Sequence, residues 1–523
     1  MRRSTTVHIA ICFLIIMLCG AVPLRAQAAD KGTYFKAGEL YYHTIAKNRV
    51  EVCGTTRNEG TLTIPSKVAY KGKSYTVTQI ADHENYYQDT PITEDATSGG
   101  IAIAVTLPGS ELFRYDRVDK KEWPSNMEWL CSSNISEVVL PSTLNYIGKG
   151  AFGDCNRLKK VTFASSYKKL VIGEDAFGGF SMKSIRFPKG TSELRDRATG
   201  TIRNIYIPAS VKKIGVGVVN AHTRKVEIDS KNKCFKMKDG ILYSYNEKTL
   251  ISASAKVNKH VVISDKVTKV MPQAFAESRV RSVKWNNKVK VVPKGTFYYC
   301  SSLRRVTNTD CLTKIEYGAF ACCWNLRTIG TVPNVTDIGR AVFWNDSHLT
   351  FNLTAKAVNV DVYAFAGAYM GSMNKDSSMQ ITVAEDNPIY SIVDGFLIKT
   401  TDTDKILMMQ VTWNPENIVV PEGITEIGVA IGGDRCTKVI LPKSLKVHNG
   451  RVCINAGTVQ YQTAEVPKLG RYFRVSNYSM KKALTILVPK GTKERYIKAI
   501  NDIEQQEDGV DYFDELHQIA EYE

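Results

Sequence analysis

The chain has 523 residues, too many for a single compact core. Its 43% hydrophobic and 23% charged residues exclude a disordered polymer. With 69 Lys and Arg against 52 Asp and Glu, the formal charge is +17, which favours anionic partners such as nucleic acid, acidic polysaccharide or anionic lipid.

Residues 1–28 read as a secretory signal peptide. Arg2 and Arg3 precede the apolar run Val7 to Leu18, interrupted only by His8, and Ala26-Gln27-Ala28 is a small-x-small cleavage site. Cys19 does not turn it into a lipoprotein signal, because Leu18 stands where a small residue is needed. This segment carries three arginines and no acid, so the mature chain keeps a charge of +17 less three, about +14. No later run reaches the roughly 18 apolar residues of a membrane helix. The expected product is secreted or held at the cell surface.

Residues 29–61 read as an N-terminal β cap, with strand-like Glu39-Leu40-Tyr41-Tyr42 and Val50-Glu51-Val52. From 62 to 460 the chain repeats itself. Phe152, Phe177, Phe275, Phe297, Phe320, Phe343 and Phe365 recur, with steps of 22, 23, 23 and 22 residues from Phe275 onward. Each follows an aliphatic residue by five positions: Ile147, Ile172, Val270, Val292, Ile315, Ile338 and Val360. Such a period marks a solenoid, in which each turn packs only on its neighbours. The copy from Val138 to Val161 shows the unit. Val138-Val139-Leu140-Pro141 is a short strand stopped by proline. Ile147-Gly148 makes a bend, Ala151-Phe152 follows, and Cys155, Leu158 and Val161 lead to the next strand. Between Phe177 and Phe275 the pattern weakens, with Val219 in the Phe slot. The expected fold class is a β-rich α/β solenoid of short parallel strands and short helical or 3-10 turns, capped at both ends.

The Phe column therefore reads as a buried spine, and Cys155, Cys300 and Cys323 share one inward slot beside it. Cys300 and Cys323 would lie on neighbouring turns within disulfide range, though free buried thiols are favoured.

The pattern Leu-Pro-x-x-Leu-x-x-Ile-Gly-x-x-Ala-Phe-x-x-Cys-x-x-Leu-x-x-Val resembles the BspA-type leucine-rich repeat, over roughly Leu62 to Leu445. The start, Leu62-Thr63-Ile64-Pro65 and then Tyr70 to Ile80, is similar to that family's first repeat. The resemblance implies a secreted or surface solenoid used for recognition and adhesion, sometimes of host matrix proteins.

Two inserts, at about 227–256 and 381–410, share a layout: Asn232 and Asn387 each precede an Asp-Gly pair by seven residues, at Asp239-Gly240 and Asp394-Gly395. Asp-Gly between apolar strands signals a tight hairpin. An excursion at about 82–134 departs from the repeat; it holds Asp82, Glu84, Asp89, Glu94 and Asp95, and Trp123 and Trp129. Residues 461–523 read as a C-terminal cap: the strand Ile486-Leu487-Val488-Pro489, a terminal helix from Lys493 to about Gln505 with Thr492 as its N-cap, and an acidic tail forming a short helix or fraying.

No catalytic, cofactor or metal site is expected. The histidines are scattered, Cys322-Cys323 stand adjacent rather than in paired C-x-x-C spacings, and nucleotide-binding and hydrolase motifs are absent. Basic residues are spread along the chain, as at Lys159-Lys160, Lys212-Lys213 and Arg304-Arg305, and read first as a solvated repeat face. The function these features favour is non-catalytic binding, by a monomer, of a host or microbial surface macromolecule, either a matrix protein or an anionic polysaccharide, and not of nucleic acid. The alternatives are a polysaccharide-active enzyme on a β-solenoid, which needs acids converging on one groove, and a structural surface-layer protein without a defined ligand.

Overall fold

The computed structural model describes residues 32–83, 128–129, 134–153, 155–178, 182–365, 379–411, 416–433, 435–448, 453–470, 474–476, 484–504 and 518–523. The signal peptide at 1–28 lies outside them, as do Glu84, Asp89, Glu94, Asp95 and Trp123 of the excursion.

The chain coils as a β-solenoid. Each turn supplies a longer strand and, after a bend, a shorter one. The longer strands stack in parallel, as His260–Val262, Ser282–Lys284 and Arg305–Thr307 do, in a register that sets Val261, Val283 and Val306 side by side. The shorter strands form a second parallel ladder; Val291–Val292, Lys314–Ile315, Asp337–Ile338 and Asn359–Val360 align Val292, Ile315, Ile338 and Val360. Both ladders bury β-branched residues on one face and turn polar ones outward, the period-2 pattern of a half-buried strand.

The Phe segment follows the second strand. Two left-handed residues flank each of Phe275, Phe297, Phe320 and Phe343, and one precedes Phe152. Two positions before the ring stand Gly150, Gln273, Gly295, Gly318 and Ala341, and two positions after it Glu277, Tyr299, Cys322 and Asn345, all with φ between 53° and 64°. The alternation has a hydrogen-bonding reason. The amides of Gly318, Phe320 and Cys322 donate to the next turn, at Arg340, Val342 and Trp344, whereas those of Ala319, Ala321 and Cys323 donate three residues back, at Glu316, Gly318 and Phe320. Every amide is thereby paired in a turn too short for a helix. The rings stack with centroids 5.3 Å apart for Phe275–Phe297, 5.2 Å for Phe297–Phe320, 5.7 Å for Phe320–Phe343 and 5.6 Å for Phe343–Phe365. Phe152 and Phe177 stack likewise at 5.7 Å. Where the column weakens, buried Thr199 and Val219 fill it; Thr199 donates its hydroxyl to Val218 O.

Cys300 and Cys323 are free, fully buried thiols, and Cys155 is also buried. Each of the first two donates its S–H to the carbonyl of a Phe one turn back: Cys300 to Phe275 at 2.9 Å, Cys323 to Phe297 at 3.0 Å. The thiols are occupied as donors rather than joined, and no Cys300–Cys323 bridge forms.

The inserts are three-stranded antiparallel units, Phe235–Lys238 with Ile241–Ser244 and Thr249–Ala253, and Tyr390–Val393 with Phe396–Thr400 and Lys405–Gln410. Asp239-Gly240 and Asp394-Gly395 make the turns in left-handed conformation, with φ 51° and 77°, and 48° and 80°. Each unit also partitions the core. Leu242 and Ile251 pack on the N-terminal cluster, while their neighbours Ile241, Tyr243 and Leu250 pack on the middle one. Leu397 and Met408 face the middle cluster, and Phe396, Ile398 and Leu407 the C-terminal one. The solenoid thus carries three successive apolar blocks.

At the N-terminal end Tyr34–Ala37, Leu40–Ala46 and Arg49–Thr55 pair antiparallel before the parallel ladder starts at Lys73–Ile80. At the other end the helix Lys493–Glu504 forms, but Thr492 does not cap it with its side chain: the hydroxyl donates to Pro489 O at 2.6 Å. Glu521 accepts from the Lys493 amide instead, at 3.0 Å. Glu521 lies on Gln518–Tyr522, which pairs in parallel with Thr485–Pro489. The last residues of the tail are therefore a strand, neither helix nor frayed end, and their carboxylate meets the positive end of the helix.

Candidate functional site, a basic ladder on the strand face

Alternation on the longer strands fixes what faces solvent. With Val261, Val283 and Val306 inward, alternation turns the first and third residues of each strand outward, and the residue before each strand, still in the preceding turn, is exposed as well. The residue before the strand is Lys259, Arg281, Arg304 and Arg327 on four successive turns, each exposed. Their backbones are bonded in sequence: Arg281 N to Lys259 O at 2.6 Å, Arg304 N to Arg281 O at 2.9 Å, Arg327 N to Arg304 O at 2.9 Å. Strand spacing sets the rungs about 4.8 Å apart. Lys284 and Arg305 add two exposed cations beside the column.

Among the described residues, none of these six makes an ion pair with a carboxylate. Elsewhere the surface behaves differently. Lys160 meets Glu137 at 2.6 Å, and Lys236 meets Glu247 at 2.6 Å. An equivalent column at Lys183, Arg203 and Arg224 runs beside Glu227, which Arg186 and Lys225 approach at 3.8 and 3.7 Å. In the sector from Lys259 to Arg327, by contrast, neither the column nor its flanking cations Lys284 and Arg305 meet a carboxylate among the described residues. Like charges on adjacent strands are destabilising, and guanidinium groups suit carboxylate, sulfate or phosphate oxygens.

Acidic residues meet in a shallow depression on another face, lined by Asp82, Glu174, Glu193 and Asp196 among others. Each is already engaged. Asp82 accepts from Tyr146 OH and Lys149 N, Glu174 pairs with Arg197 and Lys149, Glu193 with Arg195 and Lys213, and Asp196 accepts from Val216 N. Behind them burial pushes Asp175 up to about 6, against the Arg197 guanidinium at 2.9 Å. Carboxylates so neutralised are held as an ion-pair network. Among the described residues no group of three His, Cys, Asp or Glu is placed to hold a metal.

The spine residues Phe152, Phe177, Phe275, Phe297, Phe320, Phe343 and Phe365 lie in the core, away from both surfaces. Burial pushes the Cys300 thiol up to about 12. It is a core side chain, not a nucleophile.

A family model described as the BspA type leucine rich repeat region matches residues 126–248 and 252–370, in six copies. Those residues are BspA-type leucine-rich repeats. The BspA-type turns contain all four rungs of the ladder. No curated protein matches the chain. It is similar in fold to a leucine rich cell surface protein of Faecalibacterium prausnitzii, at 18% identity over 68% of this chain and 96% of the other, TM-score 0.41. A leucine-rich repeat protein of Bacteroides ovatus is similar at 15% over 94% of this chain and all (100%) of that one, TM-score 0.34. The pneumococcal vaccine antigen PcpA is similar at 15% over 94% and 99%, TM-score 0.32.

Reading the basic residues as a scattered, solvated face misses the ladder. Its signal is the BspA-type period itself: Lys259, Arg281, Arg304 and Arg327 are 22, 23 and 23 residues apart. Searching for blocks of like charge cannot find a patch assembled one residue per turn.

Proposed function

We propose that this BspA-type repeat protein is exported and displayed at the cell surface or released, and binds an anionic macromolecule, a matrix protein or a polysaccharide, as a monomer and without catalysis. The observation that carries this reading is the run Lys259, Arg281, Arg304 and Arg327: four exposed cations on adjacent rungs with no carboxylate partner among the described residues. A like-charge column costs stability, and a polyanion laid along the coil relieves that cost while gaining several contacts at once. Export is supported by residues 1–28 as a sequence, and among the described residues no helix is long and apolar enough to cross a membrane.

A second reading, a polysaccharide-active enzyme, draws on the meeting of Asp82, Glu174, Glu193 and Asp196. Their ties to Lys149, Arg195, Arg197, Lys213 and backbone amides leave no free acid–base pair, so the binding reading is preferred. The test is an array of matrix proteins and polysaccharides probed with the full mature chain over a range of salt. Saturable binding to anionic members, weakening as salt rises, is expected. Absence of saturable binding at physiological salt sinks the reading and leaves the surface-layer alternative.

A further inference from the structure

Immediately before the ladder, the chain builds a second feature. Tyr299 stands five residues ahead of Arg304, and Arg279 two ahead of Arg281. Between these two turns lies an open depression of about 560 Å³, lined by Glu277, Arg279, Tyr298, Tyr299, Ser301 and Ser302. That volume is within the ligand-sized range of about 300–1,000 Å³. Tyr299 is 45% exposed, unusually so for a large aromatic in this fold, and the Trp324 ring on the next turn meets it edge-on at 4.9 Å. The Tyr298 ring lies tilted against it at 5.9 Å. The ring is thus braced and still presents a surface. Its backbone is left-handed, φ 57°, the conformation the repeat requires at this slot, so the platform's position is set by the coil.

Resting on the proposed anion-binding role of the ladder, we infer that the anionic partner is an acidic polysaccharide and that this depression is its sugar-ring subsite. A pyranose has a flat C–H face that stacks on an aromatic ring, and hydroxyls that need both donors and acceptors. The Tyr299 ring supplies the first; Ser301, Ser302, Arg279 and Glu277 supply the second. Arg281 and Arg304, at the ends of the same two segments, take the carboxylate or sulfate. An acidic polypeptide uses the cations but has no use for the platform. A single-stranded nucleic acid stacks successive bases on several rings, whereas here Tyr299 alone is exposed, with Tyr298 and Trp324 half-buried beside it; the Glu277 carboxylate accepts from sugar hydroxyls. Glu277 is steadied by His222, whose Nε2 lies 3.2 Å from Oε2.

The test uses the full mature chain, three probes and two variants. The probes are a polyuronate oligosaccharide, poly-L-glutamate and a single-stranded DNA oligonucleotide, each titrated by calorimetry at low salt. Tyr299→Gly removes the ring at a position whose φ suits glycine, so the fold is kept. Arg304→Gln removes one rung. The expected result is that polyuronate binds most tightly and that Tyr299→Gly weakens it at least about fivefold, the low end for a ring stacked on an aromatic side chain. Poly-L-glutamate binding stays unchanged in Tyr299→Gly, and Arg304→Gln weakens both. Polyuronate affinity untouched by Tyr299→Gly overturns the sugar subsite while leaving the ladder standing; so does tighter binding of DNA than of polyuronate. If no polyanion binds, the ladder reading itself fails, and the subsite with it.

Discussion

Cys323 donates its backbone N–H to Oδ1 of Asp346, one turn away, at 2.7 Å. Asp346 occupies the slot that Cys300 and Cys323 hold on the two preceding turns, and it is 0% exposed. Its Oδ2 has no hydrogen-bond partner among the described residues. Burial, only partly offset by the Cys323 N–H, holds the carboxyl well above the usual range. A carboxyl whose folded pKa lies above its unfolded value binds its proton more tightly in the native state. Stability therefore falls as pH rises from the unfolded value, about 4, toward the folded one. Asp346→Cys restores the thiol of the column and removes this group. It is expected to stabilise the chain by about 1–3 kcal/mol near pH 8 and to gain less toward pH 4. Denaturant melts across that range check it; a gain that does not grow with pH counts against the assignment.

Asn286 makes a four-bond bracket that no other side chain can reproduce. Its Nδ2 donates to Ser264 O and Val267 O, both at 2.8 Å, and its Oδ1 accepts from Lys288 N at 3.1 Å and Val289 N at 3.0 Å. Asn232 and Asn387 repeat the bracket, to Pro208 and Val211 and to Thr354 and Ala357. Each closes the corner between two turns. Asn286→Ala strands Val267 O, Lys288 N and Val289 N, while Ser264 O keeps the Val267 amide; it is expected to cost at least about 3 kcal/mol. Asn286→Asp keeps the acceptor but sets a buried carboxylate oxygen against the Ser264 and Val267 carbonyls; near neutral pH it should cost at least as much as alanine, and less toward pH 4, where protonation restores one donor. An Asn286→Asp protein as stable as wild type would mean that the two donors contribute nothing.

The spine and the hairpin turns were legible in the sequence because each is written locally. A Phe five residues after an aliphatic residue, or an Asp-Gly between apolar runs, is visible within one window. The Asn bracket was half legible: Asn232 and Asn387 stood out by their spacing to Asp-Gly, but Asn286, without a hairpin after it, did not. What sequence reasoning lost were relationships between turns. Thr492 looked like a cap because it precedes the helix, yet the acceptor at Lys493 N is Glu521, 28 residues later. The ladder was lost for the same reason, since no two of its four members are closer than 22 residues.

Three apolar blocks meet at the antiparallel inserts, and a solenoid's stability is a sum of neighbouring interfaces. The exchange between blocks rests on few side chains: Leu242 and Ile251 against Ile241 and Leu250 at the first insert, Phe396 and Leu407 against Leu397 and Met408 at the second. Hydrogen exchange in rising denaturant should show three cooperative groups of amides, changing near residues 241–253 and 396–410. Phe320→Ala, which breaks the stack in the middle block, is expected to cost about 3–5 kcal/mol, with the protection loss confined largely to that block. A uniform loss along the whole chain would show that the inserts couple the blocks.

Arg304 sits between Arg281 and Arg327 on adjacent rungs, without a carboxylate partner among the described residues. Directly opposed like charges on neighbouring strands destabilise by a few tenths to about 1 kcal/mol. Arg304→Gln should therefore raise the melting temperature at low salt, a reversal of the usual effect of a substitution. The difference should shrink as added salt shortens the Debye length toward about 3 Å at 1 M, below the rung spacing. A polyanion should raise the melting temperature of the wild type by mass action, and much less that of a triple variant, Arg281→Gln with Arg304→Gln and Arg327→Gln. An Arg304→Gln protein no more stable than wild type at low salt would show that the column carries no repulsion, and the physical argument for an anionic partner at this face would fall with it.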